Sequence, residues 1–204
     1  MLAGDANGRP FAARIFIDAK SGALVRRIEM IHKENVMARG TRAFPPINDA
    51  NGTQSIRVRK VGAGPALEMV SAEKGTPISS RAASNVGTPI VSANGVDWDP
   101  IPAGTDGAGA AVDAHAHAAE VDDWFREKLR WKGYDNKSSP LKLIVHDNSA
   151  GAENAFWDSV DALHFGDGTA VTGGNLLPAT GIGTMGHELG HGVTQYTAGL
   201  VYQG

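Results

Sequence analysis

Hydrophobic and polar positions follow a β-strand pattern along the first part of the chain. Residues 14–31 contain two strand-like runs on either side of a Lys-Ser-Gly turn, which predicts a hairpin. Residues 39–108 contain seven of the ten prolines and six of the eleven serines, and short strand-like runs at residues 55–61 and 65–70 are separated by turn signals. We therefore expect an antiparallel, meandering β-sheet in this part of the chain.

The pattern changes to a helical one after this region. Apolar residues between positions 111 and 129 recur every three or four positions, which predicts a long amphipathic helix. Residues 141–147 and 155–165 have the composition of further strands. Residues 181–198 again show helical spacing, although each interior glycine costs about 1 kcal/mol relative to alanine. The predicted fold class is α+β: a β-sheet lobe, one long helix and a C-terminal helix.

Composition and charge narrow the function classes. The chain has 204 residues, 42% of them hydrophobic, which is enough for a buried core, and a net charge of −3. This imbalance is too small to attract polyanions or anionic membranes, so we expect neither a nucleic-acid nor a membrane partner, and no apolar run could span a bilayer. There is no secretory signal after Met1, so we expect any leader to lie outside this sequence. With no cysteine, any metal must be held by His, Asp or Glu.

One short motif points to a reaction. His187-Glu188-Leu189-Gly190-His191 matches the His-Glu-x-x-His pattern. Residues four apart lie on one face of a helix, so the two imidazoles converge on a point about 2 Å from each nitrogen, where a zinc ion can bind. Glu188 is then placed to act as a general base towards water at that metal. The motif indicates metal-assisted peptide hydrolysis.

The alternative is that these three side chains merely lie on a surface helix. The chain has only 7 histidines, so a chance match to the motif is expected about 0.01 times. Met185, Leu189 and Val193 make the neighbouring helix surface apolar, which indicates a packed site. These observations favour the zinc site.

Three parts of the chain resemble thermolysin-like (M4 family) metallopeptidases. Residues 186–203 closely resemble the active-site helix of that family. Residues 111–115 resemble the start of its first long helix, and residues 154–157 with 166–168 resemble its substrate-edge strand. The resemblance implies the N-terminal lobe of a thermolysin-like peptidase, in a secreted protein.

The resemblance also implies how the chain is divided. Residues 11–35 look like the end of the propeptide that precedes the enzyme domain in such precursors. We therefore expect a propeptide-like hairpin at residues 1–38, followed by an incomplete peptidase lobe at residues 39–204. The hairpin suggests zymogen organisation, with precursor cleavage near residues 35–42.

The implied roles are those of a zinc endopeptidase acting on peptide or protein substrates. His187 and His191 would be zinc ligands, and Glu188 the base that activates water. Asn154 and Ala155 would hold the substrate backbone as an added strand, because an edge strand offers N–H and C=O groups to an extended peptide. The other interpretation of residues 154–157 is a buried strand with aromatic core residues.

The sequence departs from the family pattern at the third zinc ligand. In the family this ligand is a glutamate on the next helix, which would lie beyond Gly204. We therefore expect the chain to be inactive alone and to need the C-terminal helical lobe of the same protein. The alternative is a catalytically inactive interaction module whose hairpin and sheet bind a partner, as an inhibitor or folding aid.

Calcium is a second point of departure. Gly183 stands where the family usually has an aspartate that helps to bind calcium, and glycine offers no side-chain ligand. Asp97 and Asp99 lie in a glycine- and asparagine-rich loop, where they could bind calcium or simply form turns. Both interpretations stay open.

The remaining charged and histidine residues receive no catalytic role. His115 and His117 are two positions apart, so they face different sides of a helix and should be solvated or hydrogen-bonded separately. His146 and His164 are expected to satisfy local polar groups. The pair Asp122-Asp123 is expected on the solvent side of the long helix.

Overall fold

The computed structural model describes residues 12–17, 24–30, 35–41, 53–60, 67–71, 76–92, 108–169 and 180–199. The helices are α1 (Ala108–Leu129) and α2 (Ile182–Thr197). The strands are β1 (Ala12–Ile17), β2 (Leu24–Met30), β3 (Asn35–Thr41), β4 (Thr53–Lys60), β5 (Leu67–Glu68), β6 (Val70–Ser71), β7 (Ile78–Ala82), β8 (Val91–Ser92), β9 (Leu141–Val145), β10 (Ala155–Trp157) and β11 (Ala162–Phe165).

The chain divides into two compact units, Met1–Glu34 and Asn35–Gly204. In the first unit, β1 and β2 pair antiparallel, from Ala12 opposite Met30 onwards, so the predicted hairpin is confirmed. The predicted domain boundary after residue 38 falls within β3, which is a paired strand and not a loop. The propeptide assignment itself stays a prediction.

The second unit contains two sheets. Strands β3, β4, β5 and β8 form an antiparallel sheet in that order, as expected for a meander. The other sheet has the order β10-β11-β9-β7-β6, and β9 pairs in parallel with both β7 and β11. The expectation of antiparallel pairing is therefore wrong for these two contacts. Parallel neighbours need a long crossover connection, and α1 lies in the connection between β7 and β9.

The predicted strand over residues 155–165 is two short strands with a turn between them. Asp158 makes the turn, since its Oδ1 accepts backbone N–H groups from Val160, Asp161 and Ala162. The turn folds β10 back on β11 as an antiparallel pair. This leaves β10 at the edge of the five-stranded sheet.

The core lies between the sheets and the two helices. Central strand β9 buries the successive residues Leu143, Ile144 and Val145, which point to alternate faces, so the strand is covered on both faces. α1 packs against β7, β4 and α2, and α2 also packs against β10. The expected α+β architecture with two helices is confirmed. Neither helix that the structure describes is both long and apolar enough to cross a bilayer.

Candidate active site

Helix α2 carries the predicted metal-binding motif on a well-packed face. Met185 and Leu189 are among its fully buried side chains, with 0% and 1% of their surface exposed. They anchor the helix by burying apolar surface, each worth roughly 1.5–3 kcal/mol. This burial offsets the low helix propensity of the glycines at positions 183, 186 and 190.

The two histidines of the motif converge as predicted from their spacing. His187 is exposed and His191 is half-buried, and their Nε2 atoms lie 3.0 Å apart. Two nitrogens that bind one zinc ion tetrahedrally at 2.0–2.1 Å are about 3.3 Å apart. The imidazole pair therefore fits a zinc ion with little adjustment.

Glu188 lies on the inner side of the same cluster. Its side chain is buried, at 7% exposure, and one ligand atom from each of Glu188, His187 and His191 lies within 4.8 Å of the other two. In the part of the chain that the structure describes, this is the one cluster of three such groups. A carboxylate so close to both imidazoles can receive a proton from a molecule bound between them.

Edge strand β10 lies directly beside α2. Helix and strand approach closely at Gly192, where a Cβ atom would lie 3.0 Å from Cβ of Tyr134 and 3.4 Å from the Trp157 ring. All three residues of β10 are half-buried, so the strand is not fully buried. Trp157 packs against the core, as the alternative interpretation of this segment predicts, and so does Ala155.

The backbone of β10 alternates between its partner strand and the sheet edge. The Asn154 carbonyl accepts the Gly166 N–H at 2.9 Å, and the Asp158 N–H donates to the Ala162 carbonyl at 3.1 Å. In an antiparallel pair, every second residue turns its N–H and C=O away from the partner strand. Those of Ala155 and Trp157 therefore point away from β11, towards the edge.

Asn154 differs from its neighbour in what it can offer. Its backbone is already bonded, because its N–H donates to the Gly151 carbonyl at 3.1 Å and its carbonyl accepts from Gly166. Its side chain is exposed at the edge of the sheet. Asn154 can therefore bind a ligand through its side-chain amide, and Ala155 through its backbone.

Comparison with known proteins identifies the family. A family model described as "Thermolysin metallopeptidase, catalytic domain" matches residues 47–195, which include the candidate active site. The chain belongs to this family. Its α2 helix thus carries the family's His-Glu-x-x-His motif in the geometry described above.

Several thermolysin-family relatives match over much of the chain. Bacillolysin from Brevibacillus brevis is 33% identical over 191 residues, covering 92% of this chain and 32% of that protein. Extracellular elastase from Staphylococcus epidermidis is 30% identical over 200 residues, with coverages of 92% and 35%. The chain spans about a third of the length of these relatives.

Two further similarities cover less of the chain. Thermolysin from Alicyclobacillus acidocaldarius is 43% identical over 95 residues, covering 46% of this chain and 16% of that protein. Among solved structures, the precursor of protealysin, a metalloproteinase from Serratia proteamaculans, gives a TM-score of 0.47 at 26% identity, covering 65% of this chain and 39% of that chain.

The other histidines that the structure describes, at positions 115, 117, 146 and 164, lie outside the thermolysin-family motif and are hydrogen-bonded. His115 and His117 are buried and hydrogen-bonded, so of the two predicted roles the hydrogen-bonded one is confirmed and the solvated one is wrong. Nδ1 of His117 lies 2.8 Å from the Thr180 carbonyl. His146 pairs with an aspartate, Asp167, as does His164 with Asp147, in agreement with the local polar roles predicted for them.

The hydrogen bonds of His115 show which of its two ring nitrogens carries the proton. Its Nε2 lies 2.9 Å from the Arg57 carbonyl, which can only accept, so Nε2 carries the proton. Its Nδ1 then accepts from the Ser80 hydroxyl at 3.0 Å. Burial lowers the pKa of His115 to about 4, although the bond to the Arg57 carbonyl raises it in part. His115 is thus a neutral core residue.

Calcium ligation stays a prediction. Asp97 and Asp99 lie outside the described residues. Gly183 is exposed on α2, and a Cβ atom there would meet nothing within 4 Å. The surrounding space therefore admits a side chain that glycine does not provide.

Sequence reasoning missed two residues, one that supports the fold and one beside the edge strand. Asp122 was expected on the solvent side of α1, but its side chain is buried and accepts hydrogen bonds from Thr76 and Gly133. Gln195 was given no role, yet it bonds to Trp157 on the edge strand. Gln195 stands four residues after His191, a spacing that puts both on one helix face, and this signal could have identified it.

Proposed function

We propose that this chain forms the metal-binding part of a zinc-dependent endopeptidase. The observation that carries the proposal is the 3.0 Å separation of the His187 and His191 Nε2 atoms beside the buried Glu188 carboxylate. In this assignment the two imidazoles are zinc ligands. Membership of the thermolysin family supports the assignment, because the same motif lies within the matched residues.

The chemistry needs a base as well as a metal. Zinc, when bound, polarises the scissile carbonyl and lowers the pKa of water at the metal. Glu188 would accept the proton of the water molecule that attacks the carbonyl carbon, and would return it to the amide nitrogen as the C–N bond breaks. Its partly enclosed position keeps bulk water from competing for that proton, because only 7% of its surface is exposed.

The substrate would bind as an added strand along β10. The backbone groups of Ala155 and Trp157 face the edge of the sheet, so an extended peptide can pair with them. The exposed Asn154 amide would bind the peptide backbone at the end of this strand. Because β10 packs against α2, a peptide bound there runs beside the imidazole pair.

The catalytic zinc site would be completed by residues outside this sequence. Catalytic zinc normally has three protein ligands, and the cluster in the described residues offers two imidazoles with the carboxylate reserved for proton transfer. We propose a third ligand from a C-terminal helical lobe of the same protein. Residues 1–38 would be the end of a propeptide, and the protein would be secreted, as the name of the extracellular elastase relative suggests.

Metal content and hydrolysis together test the proposal. The 204-residue chain, and the same chain extended by any residues encoded after Gly204, would be dialysed against zinc and assayed for metal stoichiometry and for cleavage of a casein substrate. We expect tight zinc binding and cleavage in the extended form only. Equal, strong cleavage by both forms would refute the external ligand, and absence of zinc from both would refute the site.

A second candidate function rests on the hairpin of β1 and β2. The two strands pair antiparallel within the compact unit Met1–Glu34, which supports a hairpin that forms its own structure. In this alternative, the chain is catalytically inactive and acts as an inhibitor or folding aid for a peptidase. Adding the chain to active thermolysin and measuring rate and refolding yield tests it, and no change in either would refute it.

A further inference from the structure

One polar side chain joins the metal helix to the edge strand. Gln195 lies four residues after His191 on α2. Its Oε1 accepts the indole N–H of Trp157, the last residue of β10, at 2.8 Å. Its amide nitrogen donates to the Ser159 carbonyl at 3.1 Å. A single amide thus binds both the end of the strand and the turn that follows it.

Aromatic packing supports the same contact. The Tyr134 ring centre lies 5.0 Å from that of Trp157 and 5.5 Å from that of Tyr196. Gly192 lets the helix approach these rings closely. This packing holds helix and strand together, but apolar contact has little directional preference. Hydrogen bonds are directional, so the two bonds of Gln195 define how far the strand is displaced along the helix.

The bonds of Gln195 are better suited to positioning than to stability. Both lie in solvent-exposed surroundings, and Gln195 itself is exposed. An exposed hydrogen bond replaces one to water and contributes little net free energy of folding. Its geometric effect remains, because the bonded groups belong to the strand whose outward backbone groups face the sheet edge.

We propose that Gln195 is a positioning residue that aligns the peptide-binding edge of β10 with the imidazole pair of α2. The inference rests on the proposed peptidase function. Gln195 lies on the same side of the helix as His187 and His191, at successive intervals of four residues. Its hydrogen bonds therefore set the distance and alignment between the metal ligands on α2 and the outward backbone groups of Ala155 and Trp157 on β10.

Three variants separate this role from a structural one. Gln195→Met keeps the length of the side chain and removes both hydrogen bonds. Trp157→Phe keeps an aromatic ring and removes only the indole donor. Thr197→Val is the matched control on α2, because the Thr197 hydroxyl bonds only to carbonyls of its own helix, at Val193 and Thr194.

The first measurement is steady-state cleavage of a peptide by the zinc-loaded protein extended beyond Gly204, with zinc content and the urea midpoint determined in parallel. We expect Gln195→Met to raise KM about threefold to tenfold, the range for one or two hydrogen bonds, with zinc content and midpoint unchanged. Trp157→Phe should raise KM less, and the double variant no more than Gln195→Met alone. Thr197→Val should leave KM unchanged. An unchanged KM in Gln195→Met would overturn the proposal. So would a double variant whose KM rises by the product of the two single increases.

Amide hydrogen exchange gives a readout that does not need activity. If Gln195 holds the strand end, exchange at residues 157–160 should be at least threefold faster in Gln195→Met than in the unaltered chain, and unchanged in Thr197→Val. Equal exchange in all three proteins would overturn the inference. An unaltered extended protein that neither binds zinc nor cleaves peptide would instead refute the proposed function, so the two failures are distinguishable.

Discussion

Asp122 in α1 binds Thr76, which precedes it by 46 residues and lies just before β7. Thr76 Oγ1 donates to Oδ1 of Asp122 at 2.8 Å, and the Gly133 N–H donates to the same oxygen at 3.1 Å. Arg126 pairs with the other carboxylate oxygen. One buried carboxylate therefore joins the helix to the start of β7 and to the loop that carries Tyr134.

Replacing Asp122 by alanine should destabilise the protein by about 3 kcal/mol, because Thr76 and the Gly133 N–H would lose a buried charged partner. The urea midpoint of unfolding measures this change. Asp123→Ala is the matched control, since the Asp123 side chain is 42% exposed, and a change within about 0.5 kcal/mol is expected. Similar midpoints for the two variants would contradict the assigned role of Asp122.

In the protein extended beyond Gly204, replacing Glu188 by glutamine should separate metal binding from catalysis. Glutamine keeps the size of the side chain but cannot accept a proton, so zinc content should be retained while kcat falls at least 10²–10⁴-fold. His187→Ala is the companion variant and should lose the metal itself. Loss of zinc from Glu188→Gln would show that the carboxylate is a ligand and not the base.

Gly166 should not tolerate a side chain. A Cβ atom there would lie 2.3 Å from the Ala152 carbonyl oxygen, so Gly166→Ala must displace the loop that leads to Asn154. We expect a loss of stability of about 1–3 kcal/mol and a raised KM. Gly183→Ala has open space and should be neutral or stabilising by up to about 1 kcal/mol. Thermal unfolding of both variants checks this, and equal losses would contradict it.

Acid should destabilise the protein through His115. Its pKa is about 4 in the folded protein against 6.5 when unperturbed, because burial disfavours the charged ring. Between these values the unfolded chain binds a proton that the folded chain does not, so stability falls as pH decreases from 6.5 towards 4. The contribution lost reaches about 3 kcal/mol.

Urea midpoints between pH 7 and pH 4 measure this dependence. Other acidic groups also titrate in this range, so the comparison is with His115→Gln, which has no titrating ring. The variant should be less stable at pH 7 but show a shallower decrease with acid. Parallel curves for the two proteins would exclude His115 as the source.

The parts of the fold that depend on local spacing could be predicted from the sequence. Helical period alone places His187 and His191 on one face, and the turn residues between β1 and β2 define their hairpin. The parallel pairing of β9 could not be predicted, because its partners are distant along the chain. The burial of Asp122 was missed for the same reason, since a charged residue at a helical position gives no sign of Thr76.

The position of the edge strand came from resemblance and not from periodicity. A run of three half-buried residues, Ala155–Trp157, has no period that distinguishes an edge from a core strand. β10 is an edge because, among the described strands, it pairs only with β11, to which the Asp158 turn joins it. Whether a strand lies at an edge therefore depends on the order of all the strands in the sheet and not on its own sequence.

The parallel pairing of β7 with β9 has a consequence for how the protein folds. Ile78 lies opposite Leu141, so the pairing joins residues about sixty positions apart and requires α1 to be in place between them. Closing so long a loop slows folding. β11 and β10 join the sheet through β9. The edge strand β10, which lies beside the helix that carries the imidazoles, should therefore form late, after the local hairpins. If this step is slow, the metal ligands stay exposed on a partly folded protein. The zinc concentration during refolding would then determine the yield of active molecules.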